Sequence, residues 1–260
     1  MIHELAVIHP DAKIGKDVSI GPFVSVAADA EIDDGTTIMP NVTIMDGARI
    51  GKNCRIFPGA VISAIPQDLK FAGEITTAEI GDNTTIRECV TINRGTADKH
   101  KTVVGNNCLL MAYVHIAHDV EVGNNCILAN AATIAGHVVI EDFVVIEGVV
   151  AIQQFVRVGQ HAFIAGGSLV RKNVPPFVKA AREPLSYAGV NSIGLRRRGY
   201  SDERIISIED VYRVVYVQNA NLSNGVKMAE SSLPASEEKS NILNFINSSE
   251  KGVIRGAVKP

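Results

Sequence analysis

Tryptophan is absent from this 260-residue chain, and aromatic residues make up only 5% of it although 46% is hydrophobic. Its apolar matter is therefore mostly Ile, Val, Leu and Ala, which suits a narrow, repetitive interior better than a bulky globular one. The four cysteines, Cys54, Cys89, Cys108 and Cys126, include no C-x-x-C pair, so neither a zinc ribbon nor a thioredoxin-like site is indicated. No stretch of about 20 uncharged apolar residues exists to cross a bilayer, and an integral membrane protein is not expected. The opening MIHELAVIHPDAKIG has no basic segment followed by an apolar run, so no signal peptide is read there and the cytoplasm is the expected compartment. A net charge of −3 gives no bulk attraction to nucleic acid, which is not expected as a partner.

What the chain does have is a period of six. From Ile2 through Ile8, Ile14 and onward to Ile62, then at Ile80, Ile86 and Ile92, then from Val104 to Val170, all 26 beat positions are Ile, Val or Leu. A smaller apolar residue comes four places after the beat, as at Ala12, Val18, Val24, Cys108, Val114 and Cys126. Glycine often follows the beat directly, as at Gly15, Gly51, Gly105 and Gly123. This is the hexapeptide signature of a parallel β-helix. Cys54, Cys108 and Cys126 occupy the small inward place and are expected as core hydrophobes. The period leaves handedness open. The pattern resembles the left-handed β-helix of hexapeptide acyltransferases, in which three hexapeptides make one triangular coil. That implies about eight to nine coils and, at ~4.8 Å per coil, a prism roughly 40 Å long.

The fold expected is thus an all-β left-handed parallel β-helix over residues 1–190, with a C-terminal α-helical region over 191–260. Pro175 and Pro176 are expected to stop the ladder. Beyond them Ile205, Ile208, Val211, Tyr212 and Val215 follow a helical spacing behind Ser201, and Ser236 opens a second helix carrying Ile242, Phe245 and Ile246. Two interruptions of the repeat, 63–79 and 95–103, are expected to extrude as loops and to carry function.

Three of the seven histidines fall inside the regular stretch HIAHDVEVGNNCILANAATIAGHV, residues 115–138. With 18 residues per coil, His118 stacks under Gly136 and then Gln154, and Asp119 under His137 and then Phe155. None takes an inward position, so they are expected to project from one corner of the prism. A zinc site of the kind found in hexapeptide carbonic anhydrases is not expected, because the H-x4-H pair is missing.

The segments QDLKFAGE (67–74), INRGT (92–96), HIAHD (115–119), ILANAATIAGHV (127–138), QQF (153–155), GVN (189–191) and LRRRGYS (195–201) together resemble the UDP-N-acetylglucosamine O-acyltransferase family. The resemblance implies transfer of a 3-hydroxyacyl group from acyl carrier protein to the 3-hydroxyl of UDP-N-acetylglucosamine, the opening step of lipid A synthesis. It also implies a homotrimer with no metal and no cofactor. By that resemblance His118 is the general base, Asp119 its acidic partner and Gly136 the backbone oxyanion donor. Asp68, Lys70, His115, His137, Gln153, Gln154, Asn191, Arg197 and Arg198 are the expected substrate contacts. Gly166 matches the position that measures acyl length and, lacking a side chain, implies a long chain; it could equally be a turn glycine. The sequence departs from the family at Asn93 and Gln153, where His is common, and at Ile193, where Glu is frequent. Competing readings are the N-acyltransferase of the same pathway, an acetyl-CoA-dependent acetyltransferase, and a non-catalytic solenoid. The first carries an extra N-terminal domain, whereas this repeat begins at residue 2.

Overall fold

A two-residue strand and a four-residue turn repeat with each hexapeptide, as in Thr133–Ile134 and Val139–Ile140. In each strand the first residue faces out and the beat residue faces in. The computed structural model describes residues 1–219 and 221–256. Strands three apart in sequence stack in parallel, giving three sheets that form the sides of a triangular prism. We call them face I (nine strands, among them His115–Ile116 and Thr133–Ile134), face II (eight, among them Glu121–Val122 and Val139–Ile140) and face III (eleven, among them Ile127–Leu128 and Val145–Ile146). The chain is a left-handed parallel β-helix.

Register follows the 18-residue advance: His115 lies beside Thr133, Glu121 beside Val139 and Ile127 beside Val145. Every beat residue from Ile20 to Val170 is at most 4% exposed, and each such aliphatic side chain contributes about 1.5–3 kcal/mol on leaving water. Cys54, Cys108 and Cys126 are buried in the same core, while Cys89 is exposed.

Most turns place one residue in the left-handed region. From Asn107 to Gly167 every sixth residue has positive φ, including Asp119 (59°), His137 (61°), Val149 (58°) and Phe155 (64°). Asn and Asp tolerate this conformation, but for other L-residues it costs on the order of 1–2 kcal/mol. The stacking of neighbouring coils therefore holds the turns in place.

The prolines do not stop the ladder everywhere. Pro175 and Pro176 lie in a turn between faces II and III, where no ladder N–H is required. Face III continues beyond them: Val178–Ala181 pairs in parallel with Phe163–Ile164, then antiparallel with Ser186–Val190, beside which Arg255–Gly256 adds a last strand. The chain after residue 190 is thus not purely helical, and residues 257–260 of the expected helical region lie outside the described residues.

Among the described residues four α-helices close this end, α1 (Ser192–Arg197), α2 (Asp202–Tyr212), α3 (Leu222–Ser232) and α4 (Glu237–Asn247), and a π-helical turn, Arg213–Val217, extends α2. α2 and α4 are the two the spacing predicts, and Ser201 and Ser236 cap them by accepting from the N–H of Arg204 and Lys239. α1 and α3 have no clear sequence signal, since α1 is a short turn containing Gly194 and α3 carries Gly225 among polar residues. Tyr212 is fully buried and donates to the Pro176 carbonyl at 2.5 Å, tying α2 to the prism.

Candidate active site

Every segment joining a face I strand to a face II strand passes over one edge of the prism, the I/II edge. The His118 and His137 turns both do so. So do both insertions, which leave the coil after Ala64 and Asn93 and re-enter at Thr77 and Lys101. The loops are shorter than the repeat alone suggests, because pairing such as Ala78 with Ala48 and Thr77 with Lys101 continues into them.

His118 and Asp119 point away from the core, yet the former is 5% exposed and the latter 0%. The expectation of groups projecting from a corner needs this correction, since residues 94–100 fold back over them. His118 Nδ1 lies 2.7 Å from Asp119 Oδ2. The carboxylate also accepts from the Thr96 hydroxyl at 2.6 Å and from the backbone N–H groups of Thr96 (3.0 Å) and Lys99 (3.2 Å). Burial pushes the Asp119 carboxyl up, but these donors outweigh it and hold its pKa below the ordinary value. An ionised Asp119 fixes the proton of neutral His118 on Nδ1 and leaves Nε2 with a lone pair.

That free side of the imidazole faces Gly136 one coil on: a Cβ there would sit 2.8 Å from His118 Nε2. Glycine is required at this place by close approach, not by backbone conformation. Among the described residues the Gly136 N–H has no acceptor. On the II/III edge, several N–H groups at the same place in the repeat are occupied. Asn106 N–H donates to Asn124 Oδ1 at 2.9 Å, and Asn124 N–H to Asp142 Oδ1 at 2.7 Å.

His137 completes the cluster. It meets His118 edge-on with ring centroids 5.2 Å apart, stacks on Phe155 at 4.5 Å, and has Asp119 at 3.7 Å and Asp98 at 3.2 Å. One ligand-type atom from each of His118, Asp119 and His137 lies within 4.8 Å of the others. The donor set fits a metal poorly, because both Asp119 oxygens are already filled by hydrogen bonds.

His115 sits beside this edge on face I, its Nδ1 2.7 Å from the Thr91 hydroxyl; burial, and then the neighbouring His118, push its pKa down. Gln153 and Gln154 are exposed on the next coil, and the Gln154 carbonyl accepts from Lys251 at 2.7 Å. Asp68 and Lys70 lie in the first insertion, where Asp68 accepts from the Lys70 N–H. Asn93 is buried below the site and donates to the Ile65 carbonyl at 3.0 Å.

The remaining expected residues are not brought to His118 within one chain. Asn191 and Arg198 are on the II/III edge: Asn191 donates to the His161 carbonyl at 2.9 Å, and the Arg198 guanidinium lies 4.6 Å over Phe143. Arg197 and Ile193 are exposed on α1. Gly166 is on the III/I edge, where its N–H donates to Glu147 at 2.9 Å. Gly166 itself has no positive φ; the left-handed residue of that turn is Gly167. Thr96, Asp98 and Lys99 were not legible as site residues, and nothing in the period marks a fold-back. The single cue is Gly95, where a Cβ would fall on the Lys101 backbone.

Comparison with known proteins agrees with this architecture. Residues 173–254 match the family described as UDP N-acetylglucosamine O-acyltransferase, domain 2, and residues 101–136 match the bacterial transferase hexapeptide. Residues 1–104 match the GMPPB C-terminal domain. An acyl-[acyl-carrier-protein]–UDP-N-acetylglucosamine O-acyltransferase from Thermodesulfovibrio yellowstonii is 44% identical, the alignment covering 98% of this chain and 99% of the relative. The chain belongs to the UDP-N-acetylglucosamine O-acyltransferase family. Among solved structures of that family, the Bacteroides fragilis enzyme superposes with a TM-score of 0.97 at 52% identity, covering 98% of this chain and all of that one. The Francisella novicida enzyme does so at 0.92 and 40%, covering 98% and 94%.

Proposed function

We propose that this protein transfers a 3-hydroxyacyl group from acyl carrier protein to the 3-hydroxyl of UDP-N-acetylglucosamine, with His118 as general base. The observation that carries the reading is the buried His118–Asp119 pair packed against Gly136, whose N–H has no acceptor among the described residues. His118 Nε2 takes the proton of the sugar hydroxyl as its oxygen attacks the thioester carbonyl. Asp119 holds the imidazole by Nδ1 and balances its positive charge. The oxyanion of the tetrahedral intermediate is set against the Gly136 N–H. When the C–S bond breaks, the departing thiolate takes the proton back from His118, and ester and free thiol remain. No redox change occurs, and the thioester arrives activated, so neither metal nor cofactor is part of the proposal.

His115, His137, Gln153 and Gln154 line the reacting groups from the same edge, and Asp68 and Lys70 meet the nucleotide-sugar. Asn191, Arg197 and Arg198 belong to the same site but lie on another edge, and Gly166 lies on the third. A homotrimer resolves this, because each cleft then combines edges of two subunits. The outward positions support it: face II carries ion pairs such as Lys13–Glu31 and Lys101–Glu79, while face III presents Leu109, Ile127, Val145 and Phe163. Gly166 is the acyl-length position, and the ordinary φ there supports a role in leaving space for a long chain. No helix among the described residues is long and apolar enough to cross a membrane, and the proposed place of action is the cytoplasm.

The test mixes purified protein, UDP-N-acetylglucosamine and carrier proteins bearing 3-hydroxyacyl chains of graded length. Transfer that peaks with chains of fourteen carbons or more (about that length or longer) and is lost in a folded His118→Ala variant is the expected result. Absence of transfer with every chain overturns the reading.

A further inference from the structure

The 94–100 insertion supplies three of the hydrogen bonds that hold the Asp119 carboxylate, two from Thr96 and one from the Lys99 N–H. We infer that Thr96 is a positioning residue for the transfer reaction, anchoring the Asp119 carboxylate so that it stays aimed at His118; this rests on the function proposed above.

Thr96 is 8% exposed and its hydroxyl has one proton to give. The Asp98 N–H donates to that oxygen at 3.3 Å, which directs the proton to Asp119 Oδ2, 2.6 Å away. Its own N–H takes Asp119 Oδ1. Thr96 thus grips both oxygens of a carboxylate that has no contact with water. The grip depends on the fold-back: Gly95 lets the chain pass against Lys101, the Gly95 N–H donates to the Thr77 carbonyl, and the His100 N–H returns to the Thr96 carbonyl at 2.8 Å. On the other side of the turn, Thr102 of the re-entering strand accepts from the Asp119 N–H at 2.9 Å, and Asp98 of the insertion reaches His137.

Asp119 Oδ2 is shared between Thr96 and His118. Each donor draws on the same negative charge, so the Thr96 bond limits how strongly Asp119 stabilises an imidazolium at His118. Without it the carboxylate is freer to rotate, and what charge it still offers His118 is no longer shared. Two consequences separate: the acid limb of the rate profile moves, and fewer molecules hold the imidazole in its working orientation. Neither consequence touches the nucleotide-sugar directly.

Thr96→Val removes the hydroxyl at nearly constant volume, and Thr96→Ser keeps it. With Thr96→Val, kcat is expected to fall roughly tenfold or more, as for loss of a hydrogen bond to a charged group. The acid limb of the kcat/KM profile, which reports the free base, should move up by about half a pH unit or more. KM for UDP-N-acetylglucosamine should stay within about twofold. Thr96→Ser should return the acid limb to its wild-type position. An acid limb unmoved in Thr96→Val, or moved equally in both variants, overturns the inference, because a purely structural role would lower activity without shifting it. If Thr96→Val does not fold, Thr96→Ala is read in the same way. An inactive wild type would sink the proposed function instead, and the two failures are distinguishable.

Discussion

Two edges of the prism use the same turn for opposite ends. On the II/III edge, side chains of Asp34, Asp82, Asn106, Asn124 and Asp142 climb from coil to coil, each accepting the N–H of the turn below. The ladder takes up the N–H groups of Lys16, Lys52, Asp82, Asn106 and Asn124. On the I/II edge the same places hold His118, Gly136 and Gln154, and the ladder is missing. There the Gly136 N–H is left without an acceptor and an imidazole replaces an amide. A reactive site here is a structural ladder with its rungs removed, and the rigidity comes from the edges where the rungs remain.

The comparison is broken most sharply by His118→Ala. We expect kcat/KM to drop by about 10²–10⁴-fold, the usual range for a general base, with an unfolding midpoint close to wild type. Retained activity would mean that the I/II edge is not the reactive one. Next come two glycine substitutions of equal size. In Gly123→Ala the new methyl meets the Asp142 N at 2.8 Å and the Glu141 carbonyl carbon at 2.9 Å, and backbone cannot step aside, so about 1–3 kcal/mol of stability is lost. In Gly136→Ala the methyl meets the His118 ring at 2.7 Å, which can swing away. Stability should then change by under about 1 kcal/mol, while activity falls by roughly tenfold or more as the base is displaced. Denaturant midpoints alongside kcat/KM check both, and the opposite pairing of effects would refute the division of labour. Asn124→Ala, which removes one rung, should cost about 1 kcal/mol and leave turnover unchanged.

An effect of pH belongs to the upper II/III edge, where aromatic stacking of Phe143, His161 and Phe177 succeeds the Asn/Asp ladder. Burial, with the nearby Arg198 charge, lowers the His161 pKa to about 4. The unfolded chain, with an ordinary value near ~6.5, binds the proton first. Stability therefore falls as pH drops from about 6.5 to about 4, by at most ~1.4 kcal/mol per pH unit for one proton. His161→Phe should flatten that part of the stability curve. Asp119, with its lowered pKa, contributes stability that is lost as pH falls from the ordinary carboxyl value through its lowered one, so its loss comes after that of His161 on acidification.

The period of six made the prism legible because each beat is a local statement repeated many times. The stacking of His118 on Gly136 and of Asp119 on His137 follows from counting by 18. What counting cannot reach is where an insertion goes once it has left the coil, so the burial of Asp119 under Thr96 and Lys99 has no sequence cue beyond Gly95. α1 and α3 stayed unread for a related reason: tertiary burial, as of Leu195 and Val226 in the common core, stabilises segments whose own propensity is weak. Pro175 and Pro176 misled because their meaning depends on whether they fall in a strand or in a turn.

The left-handed residue in most of the turns bears on how the prism comes apart. A coil standing alone would hold costly backbone conformations at Phe143, Val149 or Phe155 with nothing stacked upon them. In the language of a one-dimensional lattice, each unit is unfavourable by itself and the coupling between neighbours is strongly favourable. Such a lattice has long correlation length: its coils melt together, and a fragment of two or three has too few neighbours to persist.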